Sequence, residues 1–341
     1  MRQSGEEKQQ LNVVPKGSAA DAAVAGQRIA VADGKGLAGV LAVFQTPFDA
    51  DSRIDHPTLE RLFDWLFANG ADGVVFAMVS ELLRLSSEER DEVATLACRL
   101  SRGRGACVIS VGAESISTAL RHARHAEDAG ADAVMATPPV LHAVGDDELL
   151  RYFTAIAASV DIPLVVQDAS GYVGPPLSIA LQARLYGELG GKVMFKPEAP
   201  PIGPRLTRLL DATEGRARAF EGTGGLHLID SFRRGAVGTM PAGDVVWALS
   251  AMWRALRGGD FARAYRMAGP LALLISLQTS LDSFVAVEKH LLARQGVFPS
   301  STMRGPVGDV LDAQGREEAD RLMDLLRSAV DDLPRPATAL E

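Results

Sequence analysis

The chain has 341 residues, of which 47% are hydrophobic and 23% are charged. This composition is typical of a soluble globular protein, and no apolar run is long enough to span a bilayer. The formal charge of −8 at pH 7 gives no electrostatic reason to bind nucleic acid or a membrane, so neither is expected as a partner. The length allows one large domain or two smaller ones, and α/β barrels often reach it as one unit.

The chain ends and the cysteines give a second set of expectations. Residues 1–35 show no helical or strand periodicity and are interpreted as a flexible extension, with a short tail at 335–341. The extension has no continuous apolar core, so no signal peptide is predicted and a cytoplasmic location is expected. Cys98 and Cys107 have no CxxC or metal-ligand spacing. We expect two isolated, buried thiols in a reducing compartment.

Short apolar runs recur from Leu37 onward. They suit buried parallel strands, which are covered on both faces and therefore need not alternate between polar and apolar residues. Eight strands are predicted, at Gly39–Phe44, Gly73–Val79, Cys107–Val111, Ala133–Thr137, Pro163–Gln167, Val193–Lys196, Ala217–Glu221 and Ala236–Met240.

Amphipathic segments separate these strands. Ser86–Arg99 begins with Ser86 and has Glu89 three residues later, which is the spacing of a capping box. Gly70 and Gly130 each lie between a helical segment and the next strand, where a glycine commonly ends a helix. The other predicted helices between strands are Thr58–Ala68, Ser115–Ala129, Asp147–Ser159 and Leu177–Leu189.

Eight strands with helices between them predict a closed (β/α)8 barrel, or TIM barrel, over residues 36–243. No GxGxxG or phosphate loop follows the first strand, which argues against a doubly wound sheet. Residues 244–334 are predicted to form C-terminal helices that complete the barrel and pack on it. This helical annex serves oligomer contacts, covers part of the barrel, or adds packing without a role in chemistry.

Lys196 is the leading candidate for chemistry. Functional groups of such barrels gather at the C-terminal ends of the strands, and Lys196 ends the sixth strand. Burial lowers the pKa of a lysine and leaves the free amine that attacks a carbonyl to form a Schiff base. The alternative is a structural lysine paired with Glu198 or Glu221. Most basic residues of the chain are Arg, and a guanidinium cannot form the imine, which favours chemistry for Lys196.

Polar residues near the ends of strands six and five extend the candidate site. Glu198 lies two residues after Lys196 and faces the same way if the strand continues. It is then either a general acid/base or only the counter-ion of the lysine. Gln167 and Asp168 either hydrogen-bond substrate hydroxyls or hold the following loop.

Two further polar residues, Ser80 and Glu81, end the second strand. Ser80 is a candidate substrate contact, whereas Glu81 alternatively caps the following turn or pairs with an Arg. The six His residues are scattered, and the chain has no HxxxH, HExxH or Cys/His cluster. No metal site is predicted.

These strand-end segments resemble the dihydrodipicolinate synthase/N-acetylneuraminate lyase superfamily over residues 39–326. The resemblance is carried by Thr46-Pro47-Phe48, Ser80-Glu81, Leu85-Ser86-x-Glu88-Glu89-Arg90, Thr137-Pro138-Pro139, Phe195-Lys196 and Gly235–Met240. It implies a homotetrameric (β/α)8 barrel with a helical annex. It also implies that Lys196 forms the imine with pyruvate or a longer 2-keto acid, with no external cofactor.

Two departures from the superfamily bear on the activity. Gln167 stands where the synthase and sialate lyase branches carry a catalytic Tyr. Tyr172 stands near the position of a carboxylate-binding Arg in dihydrodipicolinate synthase. Without that phenol and that Arg, the proton shuttle and substrate clamp of dihydrodipicolinate synthase are missing, so its activity is not expected.

The same windows are similar to the L-2-keto-3-deoxyarabonate dehydratase branch. The similar segments are Val79-Ser80-Glu81, Thr137-Pro138-Pro139, Val166-Gln167-Asp168-Ala169, Phe195-Lys196-Pro197-Glu198-Ala199-Pro200 and Glu221-Gly222. The similarity implies that Lys196 and Glu198 are catalytic. The implied substrate contacts are Val79, Ser80, Gln167, Asp168 and the strand-eight segment at Thr239. Val140, Ser170–Gly174 and Thr223–Gly225 depart from the branch, and because these segments would contact the distal end of a sugar acid, the substrate stays open.

Three functions follow as hypotheses. A dehydratase would use Glu198 to remove a C3 proton from the Lys196 imine of a 2-keto-3-deoxy sugar acid, after which the C4 hydroxyl leaves. A retro-aldolase would form the same imine but break the C3–C4 bond and release pyruvate. A ligand-binding barrel without catalysis would keep only the architecture, because a fold alone does not prove an activity.

Overall fold

The structure, a computed structural model, describes residues 36–170, 174–308 and 310–331. Three predictions therefore concern residues outside the described part of the chain: the flexible extension at 1–35, the place of Tyr172 and the tail at 335–341. The strands are β1 Gly39–Val43, β2 Gly73–Phe76, β3 Ala106–Ser110, β4 Ala133–Ala136, β5 Leu164–Asp168, β6 Val193–Pro197, β7 Phe220–Glu221 and β8 Gly238–Thr239.

The eight strands are parallel and lie in the order β6-β5-β4-β3-β2-β1-β8-β7. The two ends of this sheet meet at Phe195 of β6. Its amide donates to the Arg218 carbonyl at 2.9 Å, and it forms a parallel bridge with Ala219 just before β7. The predicted (β/α)8 barrel is confirmed.

Within the described residues, seven α-helices follow strands β1 to β7 in turn, and four more form the C-terminal annex. They are α1 His56–Ala68, α2 Ser87–Ser101, α3 Ile116–Ala129, α4 Asp146–Ala158, α5 Ile179–Leu189, α6 Ile202–Ala212, α7 Leu228–Arg233, α8 Val246–Arg257, α9 Phe261–Ile275, α10 Leu281–Arg294 and α11 Ala313–Asp331. The sequence pattern delimited neither α6 nor α7, and α7 is too short for a periodicity to show. None of the helices in the described segments is long and apolar enough to cross a membrane.

Local sequence signals set several helix ends. The Ser86 hydroxyl accepts a hydrogen bond from the Glu89 amide at 3.2 Å, and the Glu89 carboxylate accepts one from the Ser86 amide at 2.9 Å. This is the predicted capping box. Gly130 ends α3 with a φ of 94°, a left-handed conformation that a residue without a Cβ adopts at little cost.

The strand side chains form two buried layers. Inward-facing residues such as Leu41, Val75, Met135 and Met194 fill the barrel, whereas the residues between them pack against the helices. Successive side chains of a strand point to opposite faces. Neighbouring residues at a strand end therefore face different surroundings, and this decides which predicted site residues reach the cavity.

The two cysteines are buried as expected, but they are not isolated. Cys98 of α2 and Cys107 of β3 lie with their sulfur atoms 3.8 Å apart. The helix packs back on the strand that follows it, so residues nine positions apart come into contact. The hydrogen bond to Cys98, together with burial, raises the pKa of the Cys107 thiol well above its ordinary value.

Buried charges tie α10 to the barrel. Lys289 pairs with Glu81, and both side chains are fully buried. The Lys289 ammonium also donates to the Thr302 carbonyl at 2.8 Å and lies 4.5 Å from the centre of the Phe48 ring. Burial lowers the pKa of Lys289 to about 8, against the opposing effect of Glu81. The Glu81 carboxylate further accepts the Arg304 amide at 3.0 Å. Glu81 also pairs with Arg84 at 3.5 Å, which is the Arg pairing that the sequence left open, and it joins two further parts of the chain through Lys289 and Arg304.

We expect Lys289→Met to lower the free energy of unfolding by about 3–5 kcal/mol, because the Glu81 carboxylate would stay buried without the one cation that is as deeply buried as itself. Urea unfolding followed by circular dichroism measures this loss. The double variant Glu81→Gln/Lys289→Met removes both charges and should be clearly more stable than the single variant. Equal stability of the two variants would contradict the assignment.

Candidate active site

A cavity with about 380 Å³ of empty space lies at the C-terminal ends of the strands. Lys196 of β6 lines this cavity, and its side chain is only 5% exposed. Met194, two residues earlier, faces the barrel interior. Since alternate residues of a strand share a face, Lys196 continues the inward layer at the barrel mouth. Its amine therefore faces the inside of the barrel rather than the ring of helices.

Lys196, Glu198 and Gln167 form one hydrogen-bonded group. The Lys196 amine lies 3.1 Å from the Glu198 carboxylate, which also accepts the Gln167 side-chain amide at 2.8 Å. Gln167 is the register partner of Lys196 on the neighbouring strand. Burial raises the pKa of Glu198, against the opposing effects of Lys196 and of the Gln167 hydrogen bond. A carboxylate in this place can act as a counter-ion to the amine and as a base.

The remaining described residues of the cavity wall are mostly apolar. Val79, predicted as a substrate contact, is among them. Glu288 of α10 is the one further polar side chain in the described lining, and the sequence analysis missed it. Arguments from strand ends cannot find it, because this wall comes from a helix that follows the eighth strand. A signal was present, since the charged residues Glu288 and Lys289 come directly after the apolar run Phe284–Val287.

The predicted substrate contact of Asp168 needs correction, and the Thr239 side chain is likewise bound within the protein, whereas the prediction at strand eight concerned its backbone. Asp168 accepts the Leu177 amide at 3.2 Å and pairs with Arg205 at 3.4 Å. It therefore holds the loop after β5, the alternative left open by the sequence. The Thr239 hydroxyl donates to Glu221 at 2.7 Å. Each of these two residues comes directly after a strand residue that faces the barrel interior. Its own side chain therefore points outward, toward the surrounding helices and loops.

The Ser80 side chain is also committed to the protein. Its hydroxyl accepts the Ala77 amide at 3.1 Å and closes the 3₁₀ turn Met78–Ser80, while its carbonyl accepts the Thr46 hydroxyl at 2.7 Å. This turn is what replaces the C-terminal part of the predicted second strand. A direct substrate contact of the Ser80 hydroxyl therefore has no support from the geometry.

Glu221 does not pair with Lys196. Its carboxylate accepts the Thr223 amide at 2.7 Å and the Gly225 amide at 3.0 Å, in addition to the Thr239 hydroxyl. It thereby orders the loop after β7 from the outer side of the barrel. Of the two structural partners proposed for Lys196, only Glu198 is in contact with it.

The sequence comparisons place this architecture in a known family. The model of the dihydrodipicolinate synthetase family matches residues 36–326. The chain belongs to this family. A 4-hydroxy-tetrahydrodipicolinate synthase of Thermomicrobium roseum is 31% identical over 72% of this chain and 82% of its own length. An L-2-keto-3-deoxyarabonate dehydratase of Azospirillum brasilense is 26% identical over 80% of this chain and 89% of its own length.

The fold likeness is as extensive. A 4-hydroxy-tetrahydrodipicolinate synthase structure from Methylacidiphilum fumariolicum has a TM-score of 0.79 at 24% identity, over 87% of this chain and 98% of its own. The predicted superfamily is thus confirmed, and the chain is a member of a lyase family. Relatives named as a synthase and as a dehydratase both match it, so family membership leaves the reaction open.

Metal ligands are not grouped in the described segments: no three His, Cys, Asp or Glu side chains there converge as a metal site. The polar groups of the described cavity wall are instead one amine, two carboxyl groups and one amide. Such a set suits covalent imine chemistry with proton transfer.

Gly222 packs directly against the lysine–glutamate pair. A Cβ atom at this position would lie 2.7 Å from Cγ of Glu198 and 3.0 Å from Cε of Lys196. The 3.1 Å contact between the two side chains holds these carbons in place. If both carbons moved to make room for a Cβ, that contact would change. Close approach of the β7 loop to the pair thus requires a glycine.

We expect Gly222→Ala to fold but to lower kcat strongly, by about 10- to 100-fold, because displacement of reacting groups by an ångström has effects of this size. Steady-state turnover of a 2-keto acid substrate measures the loss. Gly187→Ala in α5, where a Cβ meets nothing within 4 Å, is the matched control and should keep full activity. Full activity in Gly222→Ala would contradict this packing role.

Proposed function

We propose that the protein is a Schiff-base-forming lyase that dehydrates a 2-keto-3-deoxy sugar acid. The observation that carries the proposal is the Lys196 amine, buried in the cavity and 3.1 Å from the Glu198 carboxylate. An amine in such surroundings is suited to condense with a ketone. The neighbouring carboxylate is suited to move a proton on the adjacent carbon.

The proposed reaction begins when Lys196 condenses with the C2 ketone and releases water. The resulting iminium draws electrons from C3, and Glu198 removes a C3 proton to give an enamine. The C4 hydroxyl then leaves, and hydrolysis of the imine frees the product and the lysine. The Gln167 amide holds Glu198 beside the lysine by donating to its second oxygen at 2.8 Å.

The choice of dehydration over synthase chemistry rests on what surrounds the amine. No tyrosine lines the cavity among the residues that the structure describes, and Gln167 occupies the strand-five position facing Lys196. The similarity to the named dehydratase of A. brasilense agrees with this choice. The proposal needs a small 2-keto acid and no external cofactor. A homotetramer and a cytoplasmic location remain proposals drawn from the family resemblance and the sequence.

Borohydride trapping tests the imine. Wild-type protein reduced in the presence of a 2-keto-3-deoxy acid should gain the mass of one reduced adduct, located on Lys196. Lys196→Arg keeps the positive charge beside Glu198 but has no amine for the imine, so it should gain no mass. An unchanged wild-type mass with a panel of 2-keto acids would leave only the ligand-binding barrel.

Glu198→Gln separates imine formation from proton transfer. This variant should still give the trapped adduct, whereas its kcat should fall about 10²- to 10⁴-fold because the base is lost. Product analysis of the wild type decides the reaction: a deoxygenated 2-keto acid is expected. Stoichiometric release of free pyruvate would identify a retro-aldolase instead.

The pH profile provides a further prediction. Glu198 acts as a base only when ionised, and burial raises its pKa above the ordinary value of 4.5. Activity should therefore rise with pH, and the acidic limb of kcat/KM should lie above that ordinary value. The limb should disappear in Glu198→Gln, measured as residual activity across the same pH range. A limb that persists in the variant would assign it to another group.

A further inference from the structure

Glu288 is the carboxyl group of the cavity that the reaction above does not use. It is fully buried on α10 and lines the same cavity as Lys196. The Gln45 side-chain nitrogen donates to Oε2 of Glu288 and lies 3.4 Å from the Val43 carbonyl. Since that carbonyl can only accept, the amide nitrogen of Gln45 faces Glu288. Oε1 of Glu288 has no hydrogen-bond partner among the described residues, so it is the oxygen left to carry a proton.

The surroundings of Glu288 favour its neutral form. Burial raises its pKa well above the ordinary value, and Asp244 raises it further, while Gln45, Lys289 and Lys196 act in the opposite direction. Asp244 is itself buried, and burial raises its pKa to about 7 against the nearby backbone amides. Two neighbouring carboxyl groups in a dry site do not both ionise at low cost. Lys289, the nearest cation along the helix, is already paired with Glu81.

We propose that Glu288 is the acid that protonates the C4 hydroxyl as it leaves, an inference that rests on the proposed dehydratase function. Glu198, in contact with the Lys196 amine, takes the C3 proton. Glu288, on the part of the cavity wall that α10 contributes, gives a proton to the leaving hydroxyl. The two carboxyl groups thus have separate roles because only one of them touches a cation.

Water leaves from the enamine that is formed on Lys196. The enamine nitrogen re-forms the C2=N bond, the C2=C3 electron pair becomes the C3=C4 bond, and the C4–O bond breaks with its electrons going to oxygen. That oxygen takes the proton from Oε1 of Glu288 and leaves as water, so Glu288 becomes a carboxylate. The proton held by Glu198 then returns to Glu288 through solvent, and no net proton is consumed. A retro-aldol cleavage would instead need a base at the C4 hydroxyl, which a protonated Glu288 cannot supply.

The decisive variant is Glu288→Gln, tested on two substrates that differ only at C4. With the natural C4 hydroxyl, we expect unchanged borohydride trapping on Lys196 but a loss of kcat of about 100-fold or more. With the 4-fluoro analogue, fluoride leaves without a proton, so fluoride release should stay within about threefold of the wild-type rate. A residue that only supported the fold would affect both substrates alike.

Each result decides between the proposals. Wild-type rates on the hydroxyl substrate, or equal losses on both substrates, would overturn the role of Glu288 while leaving the dehydratase intact. No adduct in the wild type, or pyruvate as its product, would overturn the dehydratase and this inference together.

Asp244→Asn provides a second test that leaves Glu288 in place. Removing the neighbouring negative charge makes ionisation of Glu288 easier, so the acid is lost at lower pH. The alkaline limb of kcat should move to lower pH by about one unit, with little change in KM. An alkaline limb at the wild-type position, in a variant that traps the imine normally, would overturn the proposal.

Discussion

The structure depends on one contact, that between the Lys196 amine and the Glu198 carboxylate inside the closed barrel. β6 ends at Pro197, and the Lys196 and Glu198 side chains nevertheless lie on the same face and in contact. Closure at Phe195 then removes both groups from bulk water. Burying either charge alone would be costly, whereas the pair and the Gln167 hydrogen bond offset that cost. The Lys196 amine is therefore buried away from bulk water and still has an ion-pair partner.

The alternation of strand side chains divides the polar residues of the barrel mouth into two groups. Inward residues such as Lys196, Glu198 and Gln167 meet in the cavity. Outward residues such as Asp168 and Glu221 bind backbone amides of the loops that follow their strands. The loops around the cavity are therefore ordered from outside. A residue that faces the cavity and a residue that holds a loop can therefore be direct neighbours in the sequence, as Gln167 and Asp168 are.

The sequence predicts best those features of the fold and the site that depend on residues close together in the chain. Apolar runs, the capping box at Ser86 and helix-ending glycines depend on neighbours in the chain, so the barrel and most of its elements were predictable. The pairing of Lys196 with Glu198 also follows from strand periodicity. Side chains within a strand-end segment were harder to assign, because the segment contains residues of both faces and the sequence does not say which reaches the cavity. Asp168 was misplaced for this reason.

Contacts made when separate helices and strands pack against each other could not be predicted from these patterns. Glu288 reaches the cavity because α10 returns to the barrel mouth, and the contact of Cys98 with Cys107 needs a helix to fold back on the next strand. Neither contact produces a periodic pattern in the sequence, because each depends on how two complete secondary-structure elements pack against each other. Only the two charged residues directly after the apolar run Phe284–Val287 indicated that α10 faces something other than the hydrophobic core.

The annex is more than added packing, and α10 shows why. Adjacent residues of a helix point about 100° apart, so Glu288 and Lys289 face different neighbours. Lys289 pairs with Glu81 and fixes the helix to the barrel, while Glu288 lines the cavity near Asp244. Lys289 is the cation next to Glu288 in the sequence, and it is already paired with Glu81. Burial and the neighbouring Asp244 raise the pKa of Glu288 well above its ordinary value. The helix anchor and the acid proposed at Glu288 thus depend on one arrangement of charges.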